Sequence, residues 1–422
     1  MRFRREVTID HSEEIDVGGL ALGAGALALV RPRLEALAPG ERLVVTAREQ
    51  SLGDDLRGWC SRQGHRFVGS ETDPRGGQRH WLERGATGRR VRPDGTGAAG
   101  PRVGRLGLDA RMALFPPPEP VSARAWQGLR GSELERGAGV RAPQVLRAPG
   151  GAPCIPPETG RLYEQALAAQ WDPRTAIPWA QVATLAPAQA WALNQIMTFL
   201  AENELVALQV PAATVAAVHP VHAELAMLLA LHMADEARHL DVFVERARLT
   251  GEAPGASSAT TGRSLASLRE VGDPTEATFL LSVLGEGTFL DLLSFVERHA
   301  PDEATAAIAR RTRADEARHV HLGLACVRHA LATGASSAGT LVAAVERRAA
   351  RIGSDELPPA LQDALVLYAA GGPAPDDVAR GHDAFRVLLD DVARGLAKRV
   401  AHLGLSPADA ERLARLHTPS FM

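Results

Sequence analysis

The 422-residue sequence is short of aromatic side chains, which make up 4% of it, and Tyr163 and Tyr368 are its two tyrosines. A radical-generating metal subunit needs a redox tyrosine beside its ions, so this shortage counts against that class. One of the 47 basic residues, Lys398, is lysine. The arginine bias, with 40 glycines, reads as a GC-rich genome and carries no functional weight. A formal charge of -3 leaves no basic field, so nucleic acid is not an expected partner. Cys60, Cys154 and Cys326 stand far apart with no CxxC pair. That excludes a disulfide scaffold and a zinc ribbon, and it suits a reducing cytoplasm. The best apolar run noted, Leu20 to Val30, is too short for a bilayer and follows Glu13, Glu14 and Asp16. The expectation is a cytoplasmic chain with no membrane partner.

What is present is ordinary in bulk: 45% hydrophobic and 23% charged, enough for a sizeable core and, at this length, two folded units. Residues 1–86 change period quickly. Arg5 to Asp10 alternates like a strand, Ala21 to Leu37 reads as a helix, and Arg42 to Arg48 as a strand. Leu52 to Gln63 reads as a second helix, and His65 to Glu71 and Gln78 to Arg84 as a final strand pair. That order, βαβαββ, predicts a small two-layer α/β unit. Residues 87–158 lose periodicity in Gly-, Pro- and Arg-rich stretches and read as a linker with a short helix around Ser132. Residues 159–422 read as all helical. One helix is expected from Pro187 to Val210, stopping at Pro211, and a second after Pro220 to about Leu249. A third has Asp273 as N-cap, Pro274 at the first helical position and Glu276 closing a capping box, and ends by His299. A fourth covers about Asp302 to Thr333, and three or four more follow, the last capped by Ser406 with Asp409.

The 14 histidines gain meaning from two identical pentads. Asp235-Glu236-Ala237-Arg238-His239 lies on the second helix, and Asp315-Glu316-Ala317-Arg318-His319 on the fourth. Glu and His at i, i+3 share a helix face, so each pentad aims a carboxylate and an imidazole at one point. A four-helix metal site also needs a carboxylate from each remaining helix. Glu204 precedes Glu236 by 32 residues and Glu286 precedes Glu316 by 30, both in apolar surroundings. The halves 204/236/239 and 286/316/319 therefore form a pseudo-repeat. Glu202 is the rival on the first helix, but it breaks the spacing match. Solvated helix faces that happen to repeat are the bland alternative. Four ionised glutamates in a bundle core would need about two divalent ions to balance them, because unpaired buried charges cost several kcal/mol each.

This pattern resembles the ferritin-like superfamily of non-haem di-iron carboxylate proteins, with its Glu, Glu-x-x-His, Glu, Glu-x-x-His signature. The resemblance covers residues 160–335 well and the later helices loosely. It implies an all-α four-helix bundle with extra C-terminal helices. By position it implies Glu204, Glu236, His239, Glu286, Glu316 and His319 as metal ligands, with Glu236 and Glu316 bridging the ions and serving as the catalytic carboxylates. The cofactor implied is two iron ions, with manganese the alternative; six O/N ligands do not choose between them. Asp235 and Asp315 suit two roles equally: accepting the free N–H of a ligating histidine across the bundle, or pairing with Arg238 and Arg318 on the helix surface. His232, on the face of Glu236 and His239, is read first as a hydrogen-bonded core or pocket histidine and second as an extra ligand. A comparable extra histidine occurs in arylamine N-oxygenases of the superfamily, on the other ExxH helix.

The reaction class expected is a di-iron oxygenase or oxidase acting on O₂ and a small molecule, fed by an electron donor such as a separate reductase. A ferroxidase or iron-binding ferritin-like protein is the alternative, and a metal-free scaffold the third. Helices after the fourth favour the larger oxygenase branch, where they build a substrate pocket or a homodimer interface. Phe289, Leu290, Ala207 and Leu208 are expected to face the ions or line their cavity. Phe289 and Leu290 stand where hydroxylating relatives often have Thr. Trp171, Trp179 and Trp191 are expected to pack the first helix, one of them being a candidate electron relay. His321 is expected at the surface, and Cys326 as buried packing.

The N-terminal order, with Ile15 to Ala24, Leu37 to Leu43 and Trp59-Cys60, resembles TusA-type sulfur carriers over residues 5–85. In that family a Cys-Pro pair opens the first helix, where the helix N-terminus stabilises a thiolate. Here Leu22 and Gly23 stand in those places. The resemblance implies a degenerate unit that docks or binds something, with Cys60 a buried structural thiol.

Overall fold

The computed structural model describes residues 13–72, 76–85, 155–215, 218, 223–255, 258–352 and 357–417. The expected strand at Arg5 to Asp10, most of the linker with its helix around Ser132, and Cys154 lie outside the described residues. The N-terminal unit runs β1 (Glu13–Asp16), α1 (Ala26–Ala36), β2 (Arg42–Ala47), α2 (Leu52–Gln63), β3 (Arg66–Thr72) and β4 (Gln78–Glu83). The strands order as β1-β2-β4-β3, with β1 parallel to β2 and the other pairs antiparallel. The first described strand is thus a segment to which the sequence reading assigned no strand. Glu14 answers Arg79 at 3.0 Å from the exposed face of this edge strand, while Glu13 shares the half-buried face of Ile15 and pairs with Arg33 of α1. The first helix also starts later than Ala21. A 3-10 turn at Leu22–Ala24 and a left-handed Gly25 (φ +107°) precede it. A side chain on Gly25 would be strained and would meet Val378 at 3.0 Å.

The helical unit comprises α3 (Thr159–Ala168), α4 (Pro187–Val215), α5 (Ala223–Arg248), α6 (Ala259–Arg269), α7 (Pro274–Arg298), α8 (Glu303–Ala332), α9 (Ala338–Ile352), α10 (Pro359–Ala370), α11 (Pro375–His402) and α12 (Pro407–His417). Antiparallel pairs α4/α5 and α7/α8 form the heart of it, and α10 and α11 cover them. A mostly helical chain with a small mixed sheet is consistent with a ferritin-like helical unit plus an additional one. A single apolar cluster runs from Val17, Val45 and Leu56 around the sheet into Leu193, Phe289 and Leu365 of the helices.

Several ends fall where expected. Asp273 accepts from the backbone N–H of Thr275 and Glu276, each at 2.9 Å. Glu276 does not close a box, however; it pairs with Arg347 at 2.7 Å. Asp302 caps α8 through Thr305 (2.7 Å) and holds buried Arg246 at 2.8 Å. Pro211 does not stop α4. It removes one ladder bond, and burial of the ring against the core compensates while the helix runs on to Val215.

Two features of α7 escaped sequence reading. It is long and apolar enough to cross a membrane, with mean hydropathy 1.6, yet 83% of that stretch is buried inside the bundle. And residues Phe279–Gly285, just before Glu286, form a π-helical segment. A π turn inserts a residue relative to the α repeat and rotates everything before it about the axis. Gly323 on α8 allows this segment to approach: a Cβ there would lie 2.6 Å from that of Ser282.

Candidate metal centre

Each helix of the two pairs delivers its carboxylate to one buried spot. On α5 the buried positions Leu225, Leu228, Leu229, His232, Asp235, Glu236, His239, Leu240 and Phe243 recur every three to four residues, so the polar members share the apolar stripe and are carried inward with it. The same spacing carries Asp315, Glu316 and His319 inward on α8. Glu204 and Glu286 are 1% and 2% exposed on α4 and α7. Glu202 lies outside the cluster, so the spacing argument selected the residue that the structure brings in.

Two groups of ligand atoms converge. Glu204, Glu236, His239 and Glu316 form one, and His232, Glu236, Glu286 and His319 the other. Glu236 belongs to both. Its Oε2 lies 3.0 Å from His239 Nδ1 and its Oε1 3.1 Å from His319 Nδ1. Glu316 spans the same pair, Oε1 at 3.2 Å from His239 Nδ1 and Oε2 at 3.3 Å from His319 Nδ1. The residues expected to bridge are thus the two carboxylates that reach both histidines.

Asp235 and Asp315 do both jobs that sequence left open. His239 Nε2 lies 3.1 Å from Asp315 Oδ2, and His319 Nε2 lies 3.2 Å from Asp235 Oδ2, each across the bundle. Arg238 and Arg318 pair with Asp235 and Asp315 one turn along their own helices. A carboxylate accepting from Nε2–H fixes the tautomer and leaves Nδ1 free to bind a cation. Trp171 Nε1 donates to Asp315 Oδ2 at 2.8 Å, and Gln170 Nε2 donates to Asp235 Oδ1 at 3.0 Å. Gln170 was invisible in sequence, because it lies before α4, 65 residues from its partner.

The buried carboxylates and imidazoles shift one another's protonation strongly. Burial lifts Glu204 well above the usual carboxylate range, with Glu236 and Glu316 adding to it, and lifts Glu316 likewise. Burial also opposes the Glu236 anion, but the charge of His319 and the close imidazole nitrogens of His232, His239 and His319 hold it well below that range. Burial disfavours the imidazolium of His239 and His319, yet the surrounding carboxylates raise both well above the usual histidine value. For His232 burial and the charge of His319 are outweighed by Glu286 and Glu236, and it rises to about 9. Protons here occupy the place of a positive charge. Glu204 Oε1, Glu236 Oε1, Glu286 Oε2 and Glu316 Oε1 are buried without a hydrogen bond. Such oxygens are costly in a protein interior and fit hard or borderline divalent cations.

Phe289 is buried against Phe199, with ring centroids 6.4 Å apart, and Leu290 is half-buried; neither is in the walls of the cavities described below. Ala207 and Leu208 are not in them either. One cavity that reaches the cluster, about 50 Å³, lies among Val210 and Thr214 of α4, Leu229 and His232 of α5, Ser282 of the π segment and Cys326 of α8. The π segment, just before Glu286, contributes Leu281 and Ser282 to that wall. An adjoining cavity of about 360 Å³ shares Val210, Thr214 and Pro274 with it. Cys326 is half-buried in the wall, its thiol pushed up to about 12 by burial. His321 is exposed, and Tyr368 is buried on α10 with its hydroxyl donating to Val296 O at 2.8 Å.

Side chains of this kind define a class: a buried carboxylate–histidine cluster able to hold two metal ions. No family model matches the sequence, and no curated protein matches it. Among solved structures the chain is similar to mutants of R2-like ligand-binding oxidase. One has an aerobically reconstituted Mn/Fe cofactor (14% identity, 58% of this chain and 92% of that one, TM-score 0.44). Another has an anaerobically reconstituted Mn/Fe cofactor (16%, 59% and 94%, TM-score 0.45), and a third an Fe/Fe cofactor (17%, 59% and 93%, TM-score 0.44). At these values the likeness carries no functional argument, and the donor set has to carry it.

Proposed function

We propose that the helical unit is a cytoplasmic di-iron oxidoreductase that activates O₂ to oxidise or oxygenate a small organic substrate. Glu204, Glu236 and His239 hold one ion, Glu286, Glu316 and His319 the other, and Glu236 and Glu316 span both. The observation that carries this reading is the convergence of two buried carboxylates on both histidine Nδ1 atoms, each histidine being oriented from behind by an aspartate. Bound redox-active ions supply the electrons and Lewis acidity that O₂ reduction requires. The residues do the rest. Asp235 and Asp315 keep the Nε2 protons, so that Nδ1 remains a donor. The apolar walls from Leu229, Leu281 and Leu322 exclude water from the cluster. The outer cavity of about 360 Å³ is of a size for a small organic molecule. A separate reductase is the electron donor in this reading, and the N-terminal unit, whose Cys60 is fully buried with its thiol pushed up to about 12, serves docking rather than sulfur transfer.

The test is anaerobic loading of the full chain with Fe(II), followed by O₂. Two irons per chain, with O₂ uptake that oxidises members of a panel of small aromatic and aliphatic compounds, is the expected result. Retention of many irons per chain as a mineral would instead identify a ferroxidase, and absence of metal uptake a scaffold. Chelation should lower the thermal midpoint, since ions at a thousandfold their dissociation constant stabilise the fold by about 4 kcal/mol.

A further inference from the structure

The pseudo-repeat is broken at one place. Four residues before Glu236 stands His232; four before Glu316 stands Thr312, fully buried with its hydroxyl unbonded. His232 Nε2 lies 2.8 Å from Glu236 Oε1 and 3.0 Å from Glu286 Oε1. The same Glu236 Oε1 is 3.1 Å from His319 Nδ1, and it has no aligned hydrogen bond to either ring. Two imidazole nitrogens and two carboxylate oxygens therefore crowd one point; His232 Nε2 is hydrogen-bonded to Glu286 Oε1, and Glu236 Oε1 between the two rings is left without a hydrogen bond, as a ligand of a common cation would be. The ring of His232 stacks on that of His319 at 3.7 Å between centroids and 14° between planes.

His232 also differs from the other two histidines in how it is held. Their Nε2 atoms are anchored by Asp315 and Asp235, whereas His232 Nδ1 is buried without a hydrogen bond. Its outer side is open to the cavity of about 50 Å³, and a second void of about 10 Å³ touches both His232 and His319. Neither of these voids is lined by Glu204 or His239.

We propose that the two metal positions are inequivalent: the one on the cavity side takes His232 as a second imidazole donor beside His319 and Glu286, and this ring, with no carboxylate on its Nδ1, is the ligand that yields to a small molecule arriving through the cavity. This rests on the dinuclear reading above and adds to it which ion meets the incoming ligand. Donor count sets the affinity difference. The cavity-side position has two nitrogens and the other has one, and borderline divalent ions late in the first-row series favour nitrogen. Anchoring sets the exchange. A ring with no carboxylate behind its Nδ1 gives up its metal bond and its stack on His319 when it rotates away, whereas His239 and His319 would each break a buried hydrogen bond to an aspartate.

The experiment uses the metal-free full chain titrated with Co(II), read by calorimetry and by visible d–d absorption. Wild type should take up two ions in two separable steps. In His232→Ala the tighter step should weaken on the order of 10–100-fold with a changed band, and millimolar imidazole should restore both, because the ring's space opens onto the cavity. Azide is the probe of exchange. If the ring holds the position nine-tenths of the time, azide should bind the variant about tenfold more tightly than wild type. Unchanged affinities and bands in the variant would overturn the ligand assignment, and equal azide affinities would overturn the exchange. Where His232→Ala does not fold by circular dichroism, His232→Gln gives the same readings. A wild-type chain that takes up no pair of ions would overturn the dinuclear reading itself, an outcome distinct from two equivalent ions.

Discussion

Asp315 accepts from His239 Nε2 and Trp171 Nε1 and meets Arg318, so a single carboxylate orients a ligand it does not replace. Its change to Ala should leave the fold standing and lower metal affinity on the order of 10–100-fold, measured by competition with a chelator. An unchanged affinity would reduce Asp315 to a surface partner of Arg318. The histidines also set a pH dependence. His232 rises from 6.5 to about 9 in the metal-free fold, where protons stand in for ions. A raised histidine stabilises the fold fully below its unfolded value and stops doing so as pH climbs through the folded one. Burial of Glu204 and Glu316 acts in the same direction, since both bind protons more tightly in the fold than in the unfolded chain. The metal-free chain should therefore lose stability between about pH 6.5 and 9, while metal affinity rises over that window as proton competition falls. Thermal midpoints of chelated and loaded protein across the window check both signs. The pentads made His239 and His319 legible in sequence because each has its carboxylate three residues away. His232, read first as a hydrogen-bonded core or pocket histidine, is buried, bonded to Glu286 and set in a cavity wall; its further contacts were not legible, because Glu286 and His319 lie 54 and 87 positions further on.

Helices were legible where capping residues and periodicity agreed. Asp273 and Ser406 each cap the helix that sequence assigned to them, and Asp302, read as the start of the fourth, caps it. The exceptions share a cause, which is tertiary contact overriding local preference. Pro211 is carried inside α4 by burial, and β1 is an acidic segment made a strand by pairing with β2. The π segment of α7 leaves no local mark at all, because the insertion is decided by what α8 presents to it. Gly323 is that surface. A methyl group there would sit 2.6 Å from Ser282 Cβ, closer than side-chain carbons approach. Gly323→Ala should cost about 1–3 kcal/mol through overpacking, in urea unfolding, and should weaken metal binding by shifting the turn that carries Glu286. Full metal affinity with lowered stability would separate packing from the site and show that the π segment does not set the position of Glu286.

At the scale of the molecule, the sheet and the bundle share one apolar cluster, and a buried ion pair lies within their contact. Arg31 Nε of α1 is 2.6 Å from Asp363 Oδ2 of α10, with 11% and 7% of their side chains exposed. Nothing in either stretch marked them as partners, since 332 residues and two different folds separate them. Burial pushes the Asp363 carboxyl up to about 7, against the pull of Arg31 and with help from Glu35. Above that value the two are a charged pair, and removing the guanidinium alone strands a buried anion at a cost of about 3–5 kcal/mol. Below it the carboxyl is neutral and needs no counter-ion. Arg31→Met should therefore be mild on the acid side of about pH 7 and severe on the alkaline side. Adding Asp363→Leu should recover most of the loss, because an apolar pair of similar volume leaves no charge to solvate. Urea unfolding of the two single variants and the double on both sides of that pH measures the coupling directly. Additive losses that do not vary with pH would mean that the units are held together by apolar packing around Val17, Leu34 and Leu361. Strong, pH-dependent coupling would make Arg31 and Asp363 the contact that ties the N-terminal unit to the helices bearing the site.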